Sequence, residues 1–486
     1  MKKITFLALL FILLPYFSLV LSASNTSQSL SVNVDDYGAI GDGIHDDSSA
    51  IQNAFDSGYT VEFTKNKTYK LISNGLYIRN NLAIIGNNAT LLIDDSYSPI
   101  NSDFSKRIIR HSYNSYSDFL IIKNLNINVN IQKGKYALDE TNYLCILQPT
   151  YIDNVQLDYV NIYVSASHNK IINLWLDKGC SNFEMNHCTL ENNTTYKEGG
   201  TLWLMSSTDT QFNKYTNFEN INISECTFTG TCGDELIAIY GKYSANARFD
   251  HCVIVGNNQS PNVTRPITVY SNGYNTKSSV FFSNCTISCS YDSSIKNCAY
   301  DSLLGIGSND SSNYLDVTFS KCDITASVKN CLLYPSLIQK SINTIASFDF
   351  NTPNISINFM TCNVACNRPI SGSSSMLINN ASELISLGFS MTNCQVVCNY
   401  TLSFLQPIKS GTGYYYYSPH FILFNNSVHI NNELGLIVSK YNNLNYSLVT
   451  NNNNYDITAF NESLILNDES IKYITQKNSK LIKSTQ

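Results

Sequence analysis

Short runs of alternating apolar and polar residues recur along most of this chain. FEMNHCTL (183–190), FENINISECTF (218–228), ARFDHCVI (247–254), SVFFSNCTI (279–287), LDVTFSKCDI (315–324), ISINFMTCNV (355–364), LGFSMTNCQV (387–396) and HFILFNNSVHI (420–430) read as variants of one strand. They align on Cys188, Cys226, Cys252, Cys285, Cys322, Cys362, Cys394 and Asn426, at spacings of 38, 26, 33, 37, 40, 32 and 32. Such spacing fits a solenoid of fixed coil with connecting loops of varying length. A second apolar run precedes most of them, as in IINLWLD (171–177), TLWLM (201–205), ELIAIY (235–240) and PITVY (266–270). Upstream, FLIIKNLNINVNI (119–131) and CILQPTYIDNVQLDYVNIYV (145–164) have the same style. The pattern predicts roughly 12 coils, a rod about 55–60 Å long at about 4.8 Å per stacked strand.

Alternation assigns the faces. In Cys285-Thr-Ile-Ser-Cys289, the residues Cys285, Ile287 and Cys289 share one face, and Thr286 and Ser288 take the other. Gly230, Gly256 and Ala326 stand at the later position in other coils, so that place accepts only small residues. The cysteines therefore read as an inward ladder of small hydrophobes. Disulfides between stacked neighbours have poor geometry. No Cys-x2-Cys pair occurs and the Cys-x3-Cys pairs point inward, so no zinc site and no cofactor is expected.

Composition sharpens this picture. The 486 residues include 63 Asn, 60 Ser and 34 Thr, with 43% hydrophobic and only 14% charged residues. That apolar content argues against a disordered chain, and the outward positions of the coils are where so many short polar side chains would go. The net charge of −6, without Lys/Arg clusters, gives no support for a nucleic-acid or anionic-membrane partner.

At the N-terminus, Lys2 and Lys3 precede an apolar stretch from Ile4 to Leu21, and small residues follow at Ser22, Ala23 and Ser24. This reads as a secretory signal peptide over residues 1–23; an uncleaved anchor is the alternative. The expected organisation is that leader, a β-helix over 32–462 with a cap motif at 34–56, and a polar tail over 463–486. Secretion to the extracellular space or cell surface is expected, with no membrane association after cleavage.

The cap motif is VDDYGAIGDGIHDDSSAIQNAF (34–55). Gly38, Gly41 and Gly43 mark turns. Asp46 or Asp47 is suited to cap a helix, and Ala50, Ile51, Ala54 and Phe55 form one apolar helical face. A helix over Asp46–Phe55 is therefore predicted, and turns and capping account for Asp42, Asp46 and Asp47 without a metal. Together with YTVEFTKNKTYKL (59–71) and LYIRNNLAIIGNNATLLI (76–93), this motif resembles the opening of the pectate-lyase-like (rhamnogalacturonase/epimerase-type) parallel β-helix proteins, which include many phage tailspikes. The resemblance is specific over residues 34–95 and diffuse beyond. It implies an all-β fold, a single-stranded right-handed parallel β-helix closed at one end by a short helix.

Candidate chemistry is sparse. Cys232-Gly-Asp-Glu-Leu-Ile-Ala-Ile239 resembles the Gly-Asp-Asp-x-Ile-Ala-Ile stretch of polygalacturonases, whose paired acids serve glycoside hydrolysis. The resemblance makes Asp234 and Glu235 the candidate catalytic pair. The remainder of that family's site is missing. Thr201-Leu-Trp-Leu stands where the family has Asn-x-Asp, and no Gly-His-Gly follows Arg265-Pro-Ile-Thr-Val. The only two tryptophans, Trp175 and Trp203, share a Leu-Trp-Leu setting in successive coils. With the leucines inward, both indoles face outward, one above the other, as candidate substrate-binding residues beside the acids. Arg107, Arg110, His111 and Arg265 read as ordinary surface residues, and Tyr414–Tyr417 as an exposed aromatic loop without a role. Two functions remain open: cleavage of a polysaccharide by hydrolase or lyase chemistry, and non-catalytic binding of a cell-surface glycan by a surface or tailspike-like protein. Substrate, oligomeric state and glycosylation are not legible.

Overall fold

The computed structural model describes residues 31–58, 60–101, 106–112, 116–132, 143–167, 170–194, 199–206, 218–231, 235–241, 244–257, 265–271, 275–290, 302–308 and 313–326. Beyond these it describes the strand segments 331–336, 355–366, 368–370, 385–400, 417–424, 427–433, 447–451, 454–457, 474–477 and 480–483. The chain winds into a right-handed parallel β-helix, the hand that parallel crossovers take. Its strands form a 27-stranded and a 10-stranded sheet, each strand paired in parallel with its equivalent one coil away. Strands at Ile474–Lys477 and Lys480–Lys483 stack on the preceding coil, so strand structure continues into the segment read as a polar tail.

Each aligned string contains two strands rather than one. Ala245–Asp250 and Val253–Asn257, for example, are separated by a corner at His251. The residue before each ladder cysteine makes that corner: His187, Glu225, His251, Asn284, Lys321, Thr361 and Asn393 all have φ between 52° and 55°. A left-handed non-glycine residue costs roughly 1–2 kcal/mol. Interlocking hydrogen bonds offset that cost. The corner N–H donates to the next coil, as from His251 N to Ser283 O at 3.0 Å. The cysteine Sγ–H donates to the carbonyl two residues back, at 3.1–3.4 Å from Cys188 to Cys394. A small thiol thus fills the inside of the corner and donates to a carbonyl that also accepts the corner N–H of the preceding coil, as Ser283 O does from Cys285 Sγ and His251 N. The ten cysteines whose side chains are described, from Cys145 to Cys394, are buried.

Inward positions stack by residue type. Phe249, Phe282, Phe319 and Phe359 lie in parallel at 4.7–4.9 Å, an arrangement worth about 0.5–1.5 kcal/mol per pair beyond burial. Outward asparagines form amide ladders: Asn220 donates to Asn182 at 2.7 Å, and Asn182 to Asn154 at 2.9 Å. These ladders absorb part of the Asn excess.

The N-terminal helix spans Ser48–Phe55 and buries Ile51, Ala54 and Phe55 against the first coils. It starts later than expected because Asp46 ends a strand, Asp42–Asp46. Asp47 takes the cap position but makes no side-chain cap bond. Its carboxylate instead accepts the N–H groups of Ile40 and Lys70, tying the turn to a strand. Asp46 supplies the acceptor for Ser48 N. Asp42 accepts from His45 N and Ile44 N, which holds its carboxyl down at about 2. No helix among the described residues is long and apolar enough to cross a membrane.

Candidate functional site

The ten-stranded sheet builds one face with an unusual period. In Ile171–Leu176, the adjacent Asn173 and Leu174 are both fully buried. Leu174 and Leu176 lie in the main core, whereas Ile172 belongs to a second apolar cluster, against which Trp175 packs. The next strand, Gly199–Ser206, repeats this, with Leu202 and Leu204 in the core and Trp203 in the second cluster. Strict alternation fails by one residue, and the outward columns follow from the register. One column runs Trp175, Trp203, Ala238, Thr268 and Gly305. Glu235 and Arg265 are register partners in a second column. Tyr240 and Tyr270 stand in a third, at 6.1 Å between ring centroids.

The leucines therefore point inward and the tryptophans lie on the other side, as the Leu-Trp-Leu pattern predicts. The indoles do not form a flat exposed platform. Trp175 and Trp203 meet edge to face, 6.1 Å apart at 68°, and Tyr143 packs on Trp203 at 5.0 Å and 61°. Trp175 remains half-buried, whereas Trp203 is only 5% exposed. The Trp203 indole folds back over Gly200, where a Cβ would come within 2.2 Å of Nε1 and 2.6 Å of Glu235 O. Glycine at this position is a requirement of close approach. Both indole Nε1 atoms are buried and have no hydrogen-bond partner among the described residues.

Glu235 opens the strand Glu235–Gly241 and is 4% exposed. Its Oε1 accepts hydrogen bonds from the Tyr240 hydroxyl at 3.1 Å and the Thr268 hydroxyl at 3.2 Å. Thr268 Oγ1 in turn accepts from Arg265 at 3.5 Å. The Arg265 guanidinium lies across Gly305, where a Cβ would come within 2.5 Å of it. Arg265 is 4% exposed and not an ordinary surface residue, because the backbone-only position at Gly305 leaves room for it to lie against the sheet. Arg110 and His111 depart from the surface reading in the same way. They end the strand Arg107–His111 and are 3% and 1% exposed. Burial, with the Arg110 charge as a lesser cause, pushes the His111 imidazole down to about 4. Asp234 lies outside the described residues, as do Tyr414–Tyr416 and Asn426.

The structure thus brings Trp175, Trp203 and Glu235 onto one face. Tyr143, Tyr240, Arg265 and Thr268 join them there without having been singled out as site residues. A signal for three of these exists in the chain. Writing GTLWLM (200–205), ELIAIY (235–240) and RPITVY (265–270) above one another places Glu235 over Arg265, Ala238 over Thr268, and Tyr240 over Tyr270. Tyr143 precedes its strand and leaves no such trace.

No protein-family model matches the chain, and no curated protein is significantly similar to it. Among solved structures, it is similar to the endo-xylogalacturonan hydrolase of Aspergillus tubingensis, with 12% identity over 93% of this chain and 99% of that one and a TM-score of 0.40. It is similar to PfbA, a surface adhesin of Streptococcus pneumoniae, with 14% identity, coverages of 93% and 99%, and a TM-score of 0.37. A third is the tailspike protein of Acinetobacter baumannii phage AM24, with 12% identity over 75% of this chain and a TM-score of 0.38. The match covers 53% of that tailspike, about half its length. The fold rests on the parallel strand ladders, and these distant likenesses carry no activity or ligand over to this chain.

Proposed function

We propose that this chain is a secreted carbohydrate-active β-helix protein that binds a polysaccharide on the outer face of its ten-stranded sheet. One observation carries the reading: aromatic side chains and a hydrogen-bonded acid–base network share that face. Trp175, Tyr143 and Tyr240 are half-buried there, beside Glu235, Thr268 and Arg265. Apolar ring faces next to fixed hydroxyl, carboxylate and guanidinium groups suit the alternating CH and OH surfaces of a pyranose. The extracellular space or cell surface is the expected location.

A second reading, cleavage of the bound polymer, is favoured by the place of Glu235. It is a carboxylate oriented by two hydroxyl donors, one coil from Trp203, and Asp234 precedes it in the chain. Two carboxylates flanking a glycosidic bond serve as acid and base or nucleophile.

The two tryptophans are the only ones in the chain, so their emission reports on this face alone. A panel of polysaccharides is expected to contain at least one that shifts this emission saturably. Trp175→Ala is expected to weaken that binding about tenfold or more. If no polysaccharide alters the emission, the reading fails. For cleavage, reducing ends and unsaturated uronides are followed in parallel. Asp234→Asn and Glu235→Gln are each expected to lower turnover about 100-fold or more, and undiminished turnover in both removes them from the chemistry.

A further inference from the structure

A second concave site lies at the N-terminal edge of the same sheet, where the cap helix meets the first strand. It is a cavity of about 430 Å³ between the helix, the loop before the strand Leu76–Ile78 and the loop after the strand Leu82–Asp94, within the usual size range for small-molecule sites. Ser49 and Asn53 line it from the helix, Asn74 and Asn101 from the loops, and Tyr77 and Ile100 supply apolar surface. We propose that this pocket binds a single neutral pyranose unit, independently of the tryptophan–glutamate face.

Three features support a neutral sugar. The first is the donor set. Amides and hydroxyls both donate and accept, as vicinal sugar hydroxyls do, and the side chains of Ser49 and Asn53 make no hydrogen bond among the described residues. The second is charge. The one guanidinium in the wall, Arg79, is ion-paired with Asp56, so the pocket offers no uncompensated cation to an acidic ligand. The third is rigidity. Gln52 clamps the helix to the strand: Oε1 accepts from Tyr77 N at 2.7 Å, and Nε2 donates to Tyr77 O at 3.1 Å. Asn101 donates to the Tyr77 hydroxyl at 3.3 Å, and Asn101 N donates to Asn74 Oδ1 at 3.4 Å. A wall held in place before binding lowers the ordering cost. Ile100, 83% exposed at the rim, adds apolar surface for a ring CH face.

The pocket is separate from the tryptophans. Tyr77 pairs in register with Arg110, and Arg110 with Gln148. Gln148 stands opposite Trp175, because Leu147 pairs with Leu174. Three strand steps, about 14 Å, exceed the reach of one ring.

The test titrates the full chain with the methyl glycosides of glucose, galactose, mannose and N-acetylglucosamine, and with glucuronate, by saturation-transfer NMR and calorimetry. At least one neutral glycoside is expected to bind with a dissociation constant of about 1–10 mM, the range of a few weak hydrogen bonds, without changing tryptophan emission. Asn53→Tyr fills the cavity from an exposed helix position, and Asn74→Ala removes an amide from the opposite wall. Each is expected to weaken binding about tenfold, a loss of about 1.4 kcal/mol. Absence of binding by all four glycosides overturns the proposal, as does binding unchanged in both variants. Preference for glucuronate overturns it too. Binding that shifts the tryptophan emission and survives Asn53→Tyr belongs to the other face, which refutes this pocket and leaves the polysaccharide reading standing.

Discussion

Gly200 shows how one residue decides the geometry of the site. The Trp203 indole lies where a Cβ would be, and the Glu235 carbonyl is close behind it. Gly200→Ala is expected to cost about 1–3 kcal/mol through overpacking and to shift the tryptophan emission, both read in one denaturation series. His111 makes a second residue-scale prediction. Its imidazole titrates near 6.5 in the unfolded chain and at about 4 when folded, where burial disfavours the cation. The unfolded state therefore binds the proton first, and stability falls as pH drops from about 6.5 to 4, by up to about 1.4 kcal/mol per pH unit. His111→Gln is expected to flatten this part of the melting-temperature profile relative to wild type. An identical slope in the variant would show that His111 does not carry the effect. The leucine–tryptophan alternation made the indoles legible in the chain. The burial of Trp203 and Arg265 was not, because it depends on Gly200 leaving space three residues before Trp203 in the same strand and on Gly305 leaving space one coil from Arg265.

Seven coils turn on a left-handed residue followed by a cysteine, from His187–Cys188 to Asn393–Cys394. The corner residues share no side-chain type, running from His187 through Lys321 to Thr361, so the bend between the two strands leaves little mark in the sequence. The cysteine does leave one, and its spacing revealed the repeat. The hydrogen bond to Cys285, reinforced by burial, pushes the Cys322 thiol up to about 12. Burial alone raises Cys145 to about 12. Ten thiols are buried away from any reagent, so a thiol reagent at neutral pH is expected to modify at least ten more cysteines in denaturant than in the native protein. Comparable modification in both states would contradict the ladder. In the aromatic stack, Phe319 packs on Phe282 and Phe359 at 4.9 Å on each side. Phe319→Ala is expected to cost about 3–5 kcal/mol, measured as a shift in denaturant midpoint at constant slope.

The whole molecule is a stack whose coils touch mainly their neighbours, so stability accumulates from one interface to the next. The open ends of such a stack present unpaired strand edges. The cap helix covers one end with Ile51, Ala54 and Phe55. Ile51→Asp places a charge in that fully buried position. It is expected to promote self-association, visible as concentration-dependent mass in light scattering, with little change in far-UV circular dichroism. A monomeric variant would remove the helix from that role. Both candidate sites lie on the ten-stranded sheet, one beside the cap helix and one around Trp203, so the solenoid presents two separate surfaces on a single scaffold.

The sequence by itself determined the fold class, the inward ladder of cysteines and the inward leucines beside both tryptophans. These follow from local rules: a period of two sets the faces of a strand, and a cysteine recurs at seven of the corners. Only the tertiary structure decided which outward residues stand together. Glu235 meets Arg265 and Thr268 across coils separated by loops of unequal length, and register across such loops is set by strand pairing. Burial of these polar groups, and the cavity beside the cap helix, arise from the same long-range pairing. No stretch of sequence shorter than a whole coil contains that information.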